Sequence, residues 1–276
     1  MLRQFRQVDV FTSTPYRGNA LAVVFGADGL TTEQMQRFAN WTNLSETTFL
    51  LVPDDDGADY QVRIFTASRE LPFAGHPTLG TCHAWLEAGG RPRQAGVVVQ
   101  QCEAGLITIR QDDGGLAFAA PPLLRGGPVD EPLAQRIADI LHIGREEIVD
   151  LQWADNGPGW IAVLLASADA VLALRPGASD LEIGVAGPHP PGGPAAFEVR
   201  AFTASDGGTA EDPVTGSLNA SLAQWLLATG RAQAPYLARQ GTVLGRNGQV
   251  RITSDPDGAI WVGGLTVTCI SGTVDL

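Results

Sequence analysis

Two blocks of this 276-residue chain repeat each other in order, and any fold for it must accommodate both copies. Arg63-Ile64-Phe65-Thr66-Ala67-Ser68 returns as Arg200-Ala201-Phe202-Thr203-Ala204-Ser205, an offset of 200 − 63 = 137. Each block then runs through a Gly-bearing turn. The first copy reads Phe73-Ala74-Gly75-His76-Pro77-Thr78-Leu79-Gly80 and the second Glu211-Asp212-Pro213-Val214-Thr215-Gly216-Ser217-Leu218. Both continue into apolar stretches that end alike, Trp85-Leu86-Glu87-Ala88-Gly89-Gly90-Arg91 and Trp225-Leu226-Leu227-Ala228-Thr229-Gly230-Arg231, where the offset is 225 − 85 = 140. Matched blocks in a fixed order read as an internal duplication with three residues added in the second copy, and the site is expected between the copies.

The chain is long enough for one large domain or two ordinary ones, and the duplication favours two. A net charge of −12 excludes the basic surface that nucleic-acid binding needs. All eighteen basic residues are arginine, so lysine Schiff-base chemistry, including that of pyridoxal phosphate, is excluded. The three cysteines, Cys82, Cys102 and Cys269, are widely spaced without a metal-binding pattern, which predicts a reduced, cytoplasmic protein. The first residues carry no signal-like apolar run, and the stretch Ile161–Leu174 is interrupted by Ser167 and Asp169, so no membrane association is expected.

Strands are predicted at Gln7–Phe11, Asn19–Phe25, Thr47–Val52, Tyr60–Thr66, Gly96–Gln101, Leu106–Arg110 and Leu116–Ala120. Thr31 with Gln34 forms a capping box that starts one helix, and His76-Pro77 opens another running to about Ala88. Pro121–Pro128 is the candidate linker and Ala186–Ala195 a Pro/Gly loop. Asp130 caps a helix carrying Leu133, Ile137, Ile140 and Leu141, and Ser217–Thr229 mirrors the helix after His76. Each half is predicted to combine a multi-stranded sheet with two helices, an α+β fold without dinucleotide fingerprint. The boundaries are 1–120, joined by a C-terminal strand at about 265–276, and 125–264.

The residue before a proline is pushed out of the helical region, so His76 and Asp212 are expected just outside helix starts. Gly75 and Gly216 allow close backbone approach, leaving amides that attract a carboxylate or phosphate, although such turns are also common caps. Glu46 stands where a polar turn enters an apolar strand. It is either an exposed strand-edge carboxylate or, in a water-poor cleft, an acid/base whose neutral form is favoured.

Asp9-Val10-Phe11, Arg17-Gly18-Asn19-Ala20-Leu21-Ala22-Val23, Asn43-Leu44-Ser45-Glu46-Thr47-Thr48-Phe49, Gly75-His76-Pro77-Thr78 and Glu211-Asp212-Pro213-Val214-Thr215-Gly216-Ser217 together resemble the PhzF family of phenazine-biosynthesis-like isomerases. The motifs follow the family's order along essentially the whole chain. The resemblance implies a diaminopimelate-epimerase-like fold, two barrel-like β-rich halves each around a central helix, usually as a homodimer, and a role in secondary metabolism. It implies an isomerase that needs no metal or organic cofactor and moves a double bond in a small unsaturated carboxylic or amino acid. Glu46 would shuttle the proton, while His76, Asp212 and Ser217 orient substrate and tune the relay. Asn19, Ser45, Gly75, Thr78 and Gly216 would contact the substrate. Two departures bear on specificity: Ala20 stands where the family usually has proline, and Leu218-Asn219-Ala220 where many relatives have small residues and a histidine.

The rival readings are a two-base racemase or epimerase and a non-catalytic small-acid binder. The racemase branch of the fold places cysteines before the paired glycines. Here those positions hold Ala74 and Thr215, and Cys82 reads as a buried structural thiol. A hydrolase built on Ser217 lacks the Gly-x-Ser-x-Gly elbow.

Overall fold

Strand β1 (Leu2–Val10) pairs antiparallel with β2 (Asn19–Val24) and with the C-terminal strand Thr266–Asp275, so both chain ends belong to one sheet. Thr31 and Gln34 make the reciprocal capping box at the start of α1 (Thr32–Thr42), which ends on Asn43 at φ 56°. Met35 and Ala39 pack from α1 onto Phe49 and Phe65. β3 (Glu46–Leu51) runs parallel to β2, β4 (Tyr60–Phe65) antiparallel to β3, and the short β5 (Glu70–Leu71) folds back on β4. Then come α2 (Gly75–Glu87) and the meander β6 (Val97–Cys102), β7 (Gly105–Asp112) and β8 (Gly115–Ala119). The computed structural model describes residues 1–205 and 208–276 and divides into two units, Met1–Ala119 with Gly263–Leu276, and Ala120–Val262.

α2 is buried without interruption from Gly75 through Cys82, the pattern of a helix enclosed by strands. Gly80 sets how close it comes. A Cβ there would lie 2.6 Å from Leu21 Cδ2, 2.9 Å from Val10 Cγ2 and 3.0 Å from Val8 Cγ2. Gly80→Ala is therefore expected to destabilise the protein by about 1–2 kcal/mol in urea unfolding. The overpacking costs about 1–3 kcal/mol and outweighs the roughly 1 kcal/mol that alanine gains as a helix former. A stabilised variant would show that the strands yield.

The second unit repeats this plan with additions. β9 (Arg125–Pro128) pairs with β10 (Ile148–Asp155), so half of the segment expected to be a linker is a strand; Gly127, at φ 92°, supplies a conformation that glycine tolerates. Asp130 caps α3 (Glu131–Leu141), accepting from Leu133 N, and Ile137 and Leu141 enter the core. β11 (Ile161–Leu165) is followed by α4 (Ala168–Ala173), a helix absent from the sequence reading. Its Ser167 cap breaks the apolar stretch into strand and helix. β12 (Ile183–Pro188) takes in the first three residues of the expected loop, Ala186, Gly187 and Pro188, which pair with Val199, Glu198 and Phe197 of β13 (Phe197–Ser205). β14 (Gly208–Asp212) returns along β13 and leads to α5 (Gly216–Ala228), which is buried like α2. β15 (Tyr236–Gln240), β16 (Gly248–Ser254) and β17 (Ile260–Gly264) follow. Here the close approach comes from the strand: a Cβ on Gly184 of β12 would stand 2.0 Å from Leu218 of α5.

The registers refine the duplication. Arg63 clasps Glu70 with two hydrogen bonds of 2.6 Å, and Arg200 clasps Glu211 at 2.9 and 2.7 Å. The offset is thus 137 at the arginines but 211 − 70 = 141 at the glutamates and 216 − 75 = 141 at the helix starts. The second copy gains four residues in the β13–β14 hairpin, not three, and the matched tryptophans differ by one helical position. Glu211, which opens the Glu211–Ser217 motif, is the counterpart of Glu70 and is committed to its arginine.

Candidate active site

In the first unit three distant segments converge. Leu21 of β2 pairs with Glu46, the first residue of β3, so Asn19 and Glu46 open adjacent parallel strands. α2 brings His76 to them. Its Nε2 lies 3.2 Å from Glu46 Oε2, and its Nδ1 lies 3.5 Å from Asn19 Nδ2. The Glu46 contact is at hydrogen-bond distance but off the aligned geometry. His76 and Asn19 are buried, whereas the Glu46 side chain keeps 16% exposure. A buried imidazole beside a carboxylate that solvent still reaches has the chemistry to hold and pass a proton.

His76 is not outside the helix. Ala74 is the N-cap and His76 the second helical residue. A proline disfavours helical geometry in the residue before it, but within the first turn no intrahelical N–H is lost and the preference is overridden by packing. Burial pushes the imidazole from its ordinary 6.5 down to about 3, so it is neutral near pH 7. With Asn19 Nδ2 donating to Nδ1, the ring proton sits on Nε2, the nitrogen 3.2 Å from Glu46 Oε2. The contact is then a neutral imidazole against a carboxyl group and not an ion pair.

A lowered histidine pKa means the unfolded chain binds a proton that the native protein refuses. The stability from neutral His76 is complete above pH 6.5 and drains as pH falls from there towards 3. At pH 5 the loss amounts to about 2 kcal/mol at most. Urea unfolding at pH 7.5 and 5.0 should therefore fall more steeply for the native chain than for His76→Gln. Parallel losses would refute it.

Asp212 ends β14, outside the helix as expected, and three residues before the Thr215 N-cap. Its Oδ2 accepts from Thr215 Oγ1 at 2.5 Å. Buried Gln240 knits the turn: its amide donates to Asp212 O and Thr215 Oγ1, and its oxygen accepts from Thr215 N and Asn219 Nδ2. Ser217, part-exposed in the first turn of α5, accepts at Oγ from Trp160 Nε1 at 3.0 Å, and its carbonyl accepts from Asn156 Nδ2 at 2.8 Å. Ser217 thus occupies the place in α5 that His76 occupies in α2.

Other expected residues divide. Gly75 and Gly216 are the first residues of their helices, with no side-chain cap over either start. Ser45 is exposed in the turn before Glu46. Thr78 is fully buried and its hydroxyl accepts from Gln100 Nε2, which ties it to the core. Asn219 likewise turns inward to Gln240 and Thr215, so that departure from the family pattern supports the turn. Asn156, Trp160 and Gln240 escaped the sequence reading, because nothing local to them marks a contact with α5. Glu182 escaped too. Phe65 pairs with Thr47 and Phe202 with Ile183, which makes Glu182 the register counterpart of Glu46; its Oε1 accepts from Ala204 N at 3.4 Å. The thiols are unsuited to base chemistry, with buried Cys82 pushed up to about 12 by desolvation.

A β-rich unit around a buried helix occurs twice in one chain, with a carboxylate against a buried imidazole in the first copy, and this is an α+β fold of the epimerase-like kind. The chain belongs to the PhzC-PhzF family of phenazine biosynthesis-like proteins, which matches residues 8–272. That membership makes it an isomerase by class. It is 35% identical over 292 residues to Antisense-enhancing sequence 1 of Schizosaccharomyces pombe, covering 97% of both chains. It is 52% identical over 83 residues, 30% of each chain, to trans-2,3-dihydro-3-hydroxyanthranilate isomerase of Pseudomonas aeruginosa. The crystal structure of the PhzF-family phenazine biosynthesis protein of Bacillus anthracis superposes with a TM-score of 0.82, covering 100% of both chains at 21% identity. Among the described residues no helix is long and apolar enough to cross a membrane.

Proposed function

We propose that this chain shifts a double bond in a small unsaturated carboxylic or amino acid by moving one proton between carbons, without cofactor. The observation that carries the reading is the 3.2 Å approach of Glu46 Oε2 to His76 Nε2. Glu46 takes the proton from one carbon. Neutral His76, donating from Nε2, steadies the carboxylate before transfer and yields as the carboxyl group turns to deliver the proton elsewhere. Asp212 and Ser217 serve as substrate-orienting groups. The relative's named substrate, a dihydro-hydroxyanthranilate, fits this chemistry, since it carries a carboxyl group and a movable C–H beside unsaturation.

The test is to incubate the protein in D₂O with a panel of cyclic and linear dienoic amino and carboxylic acids and follow deuterium entry by NMR. Deuterium at a new carbon, together with a moved double bond, supports the reading. Exchange and inversion at a single stereocentre would favour an epimerase, and binding throughout the panel without exchange a small-acid binder. Glu182 gives the second copy a carboxylate in register, but the proposal assigns transfer to Glu46 alone. Glu182→Gln should therefore keep exchange within a factor of about three; a loss of order 10² would mean two acids share the work.

A further inference from the structure

We propose that Trp160 is a positioning residue that fixes Ser217 as a hydrogen-bond donor to the carboxylate of the substrate. An indole N–H can only donate. Its 3.0 Å bond to Ser217 Oγ occupies the oxygen's lone-pair side and leaves the serine hydrogen to be given to an acceptor. The backbone oxygen of Ser217 is engaged by Asn156 Nδ2 and Ser221 Oγ, which holds the residue from a second direction. Trp160 is itself 2% exposed, so the indole does not swing away, whereas Ser217 is part-exposed and open to a ligand. The duplication sharpens the point. Phe202 against Ile183, and Ile183 against Ile161, put Trp160 in register with Leu21 of β2, a purely apolar residue. The second copy therefore carries a donor where the first has none, and it meets the residue that replaces His76. A neutral hydroxyl with a fixed hydrogen suits an anionic acceptor, for which a hydrogen bond is stronger than between neutral groups.

This rests on the reading that Ser217 orients the substrate, and the experiment separates the two. Dissociation constants are measured by calorimetry for 3-hydroxyanthranilate and for 2-aminophenol, the same ring without the carboxyl group. The proteins are the native chain, Trp160→Phe, Ser217→Ala and the double variant. Trp160→Phe should weaken 3-hydroxyanthranilate about five- to tenfold, leave 2-aminophenol within twofold, and add nothing to Ser217→Ala, as expected when one residue acts through the other. Equal weakening of both probes, or additive losses, would reduce Trp160 to a packing role and overturn the inference. An effect of Ser217→Ala with Trp160→Phe silent overturns it while sparing the role of Ser217. A silent Ser217→Ala, or no binding of 3-hydroxyanthranilate by the native chain, overturns both. Thermal unfolding of each variant excludes loss of fold as the cause. Should Trp160→Phe fail to fold, Trp160→His, which keeps a ring donor, is expected to retain carboxylate binding better than Trp160→Leu.

Discussion

Replacing Glu46 by glutamine should lower turnover, and deuterium exchange with it, by two to four orders of magnitude, the span that positioned acid/base groups contribute. Glutamine preserves the volume of the side chain and can still lie beside His76, so ligand affinity and unfolding behaviour should change little. A shortened carboxylate tests geometry separately. Glu46→Asp keeps the proton-carrying group but withdraws it by one methylene, and displacement of a reacting group by about 1 Å can cost 10²-fold. The expected order is native, then Glu46→Asp, then Glu46→Gln. The measurement is the initial rate of deuterium appearance on the product carbon, with binding followed in parallel. A Glu46→Gln protein within threefold of the native rate would remove Glu46 from the mechanism. Equal losses in rate and affinity would instead mark it as a binding group.

The second large effect is on stability, and it separates two arginines that the sequence presents as equals. Arg63 and Arg200 both open an Arg-x-Phe-Thr-Ala-Ser motif, both lie over the phenylalanine that follows, at 5.1 and 4.8 Å, and both clasp a glutamate with two hydrogen bonds. Their surroundings differ. The Arg63 side chain is 27% exposed and Arg200 only 3%, and Arg200 Nη1 also donates to the carbonyls of Val171 and Leu174 at 3.1 and 2.9 Å. Removing one partner of a buried pair leaves an uncompensated charge and costs about 3–5 kcal/mol. An exposed pair is worth about 0–1 kcal/mol, because solvent screens it and the side chains lose freedom in forming it. Arg200→Met should therefore cost about 3–5 kcal/mol in urea unfolding and Arg63→Met about 1 kcal/mol or less. Glu211 would be left without its arginine, and the carbonyls of Val171 and Leu174 would each lose one of their donors. Equal costs would show that burial does not decide the difference.

These arginines also show where sequence reading ends. The repeated motif is visible in the chain, and with it the two-copy plan. The capping box at Thr31 and the Asp130 cap are equally legible, because each is a local arrangement of a few side chains with the adjacent backbone. Glu46, His76 and Asp212 carried signals of their own, a carboxylate entering an apolar strand and polar residues against prolines. Asn156, Trp160, Glu182 and Gln240 carried none. Each acquires its role through strand register or a contact with a residue far along the chain, and a shift of one position in pairing would send each to the opposite face.

What the sequence determined by itself is the duplication, the α+β class and the chemistry-bearing residue types, because these depend on local pattern and composition. The tertiary structure decided which of those residues meet. It placed His76 inside its helix and against Glu46, withdrew Thr78 and Asn219 into the interior, and gave Glu211 to Arg200. Burial then set their energetics, lowering the His76 pKa and making one arginine clasp costly to break and its twin nearly dispensable. Desolvation depends on every atom packed around a group, and those atoms come from all along the chain.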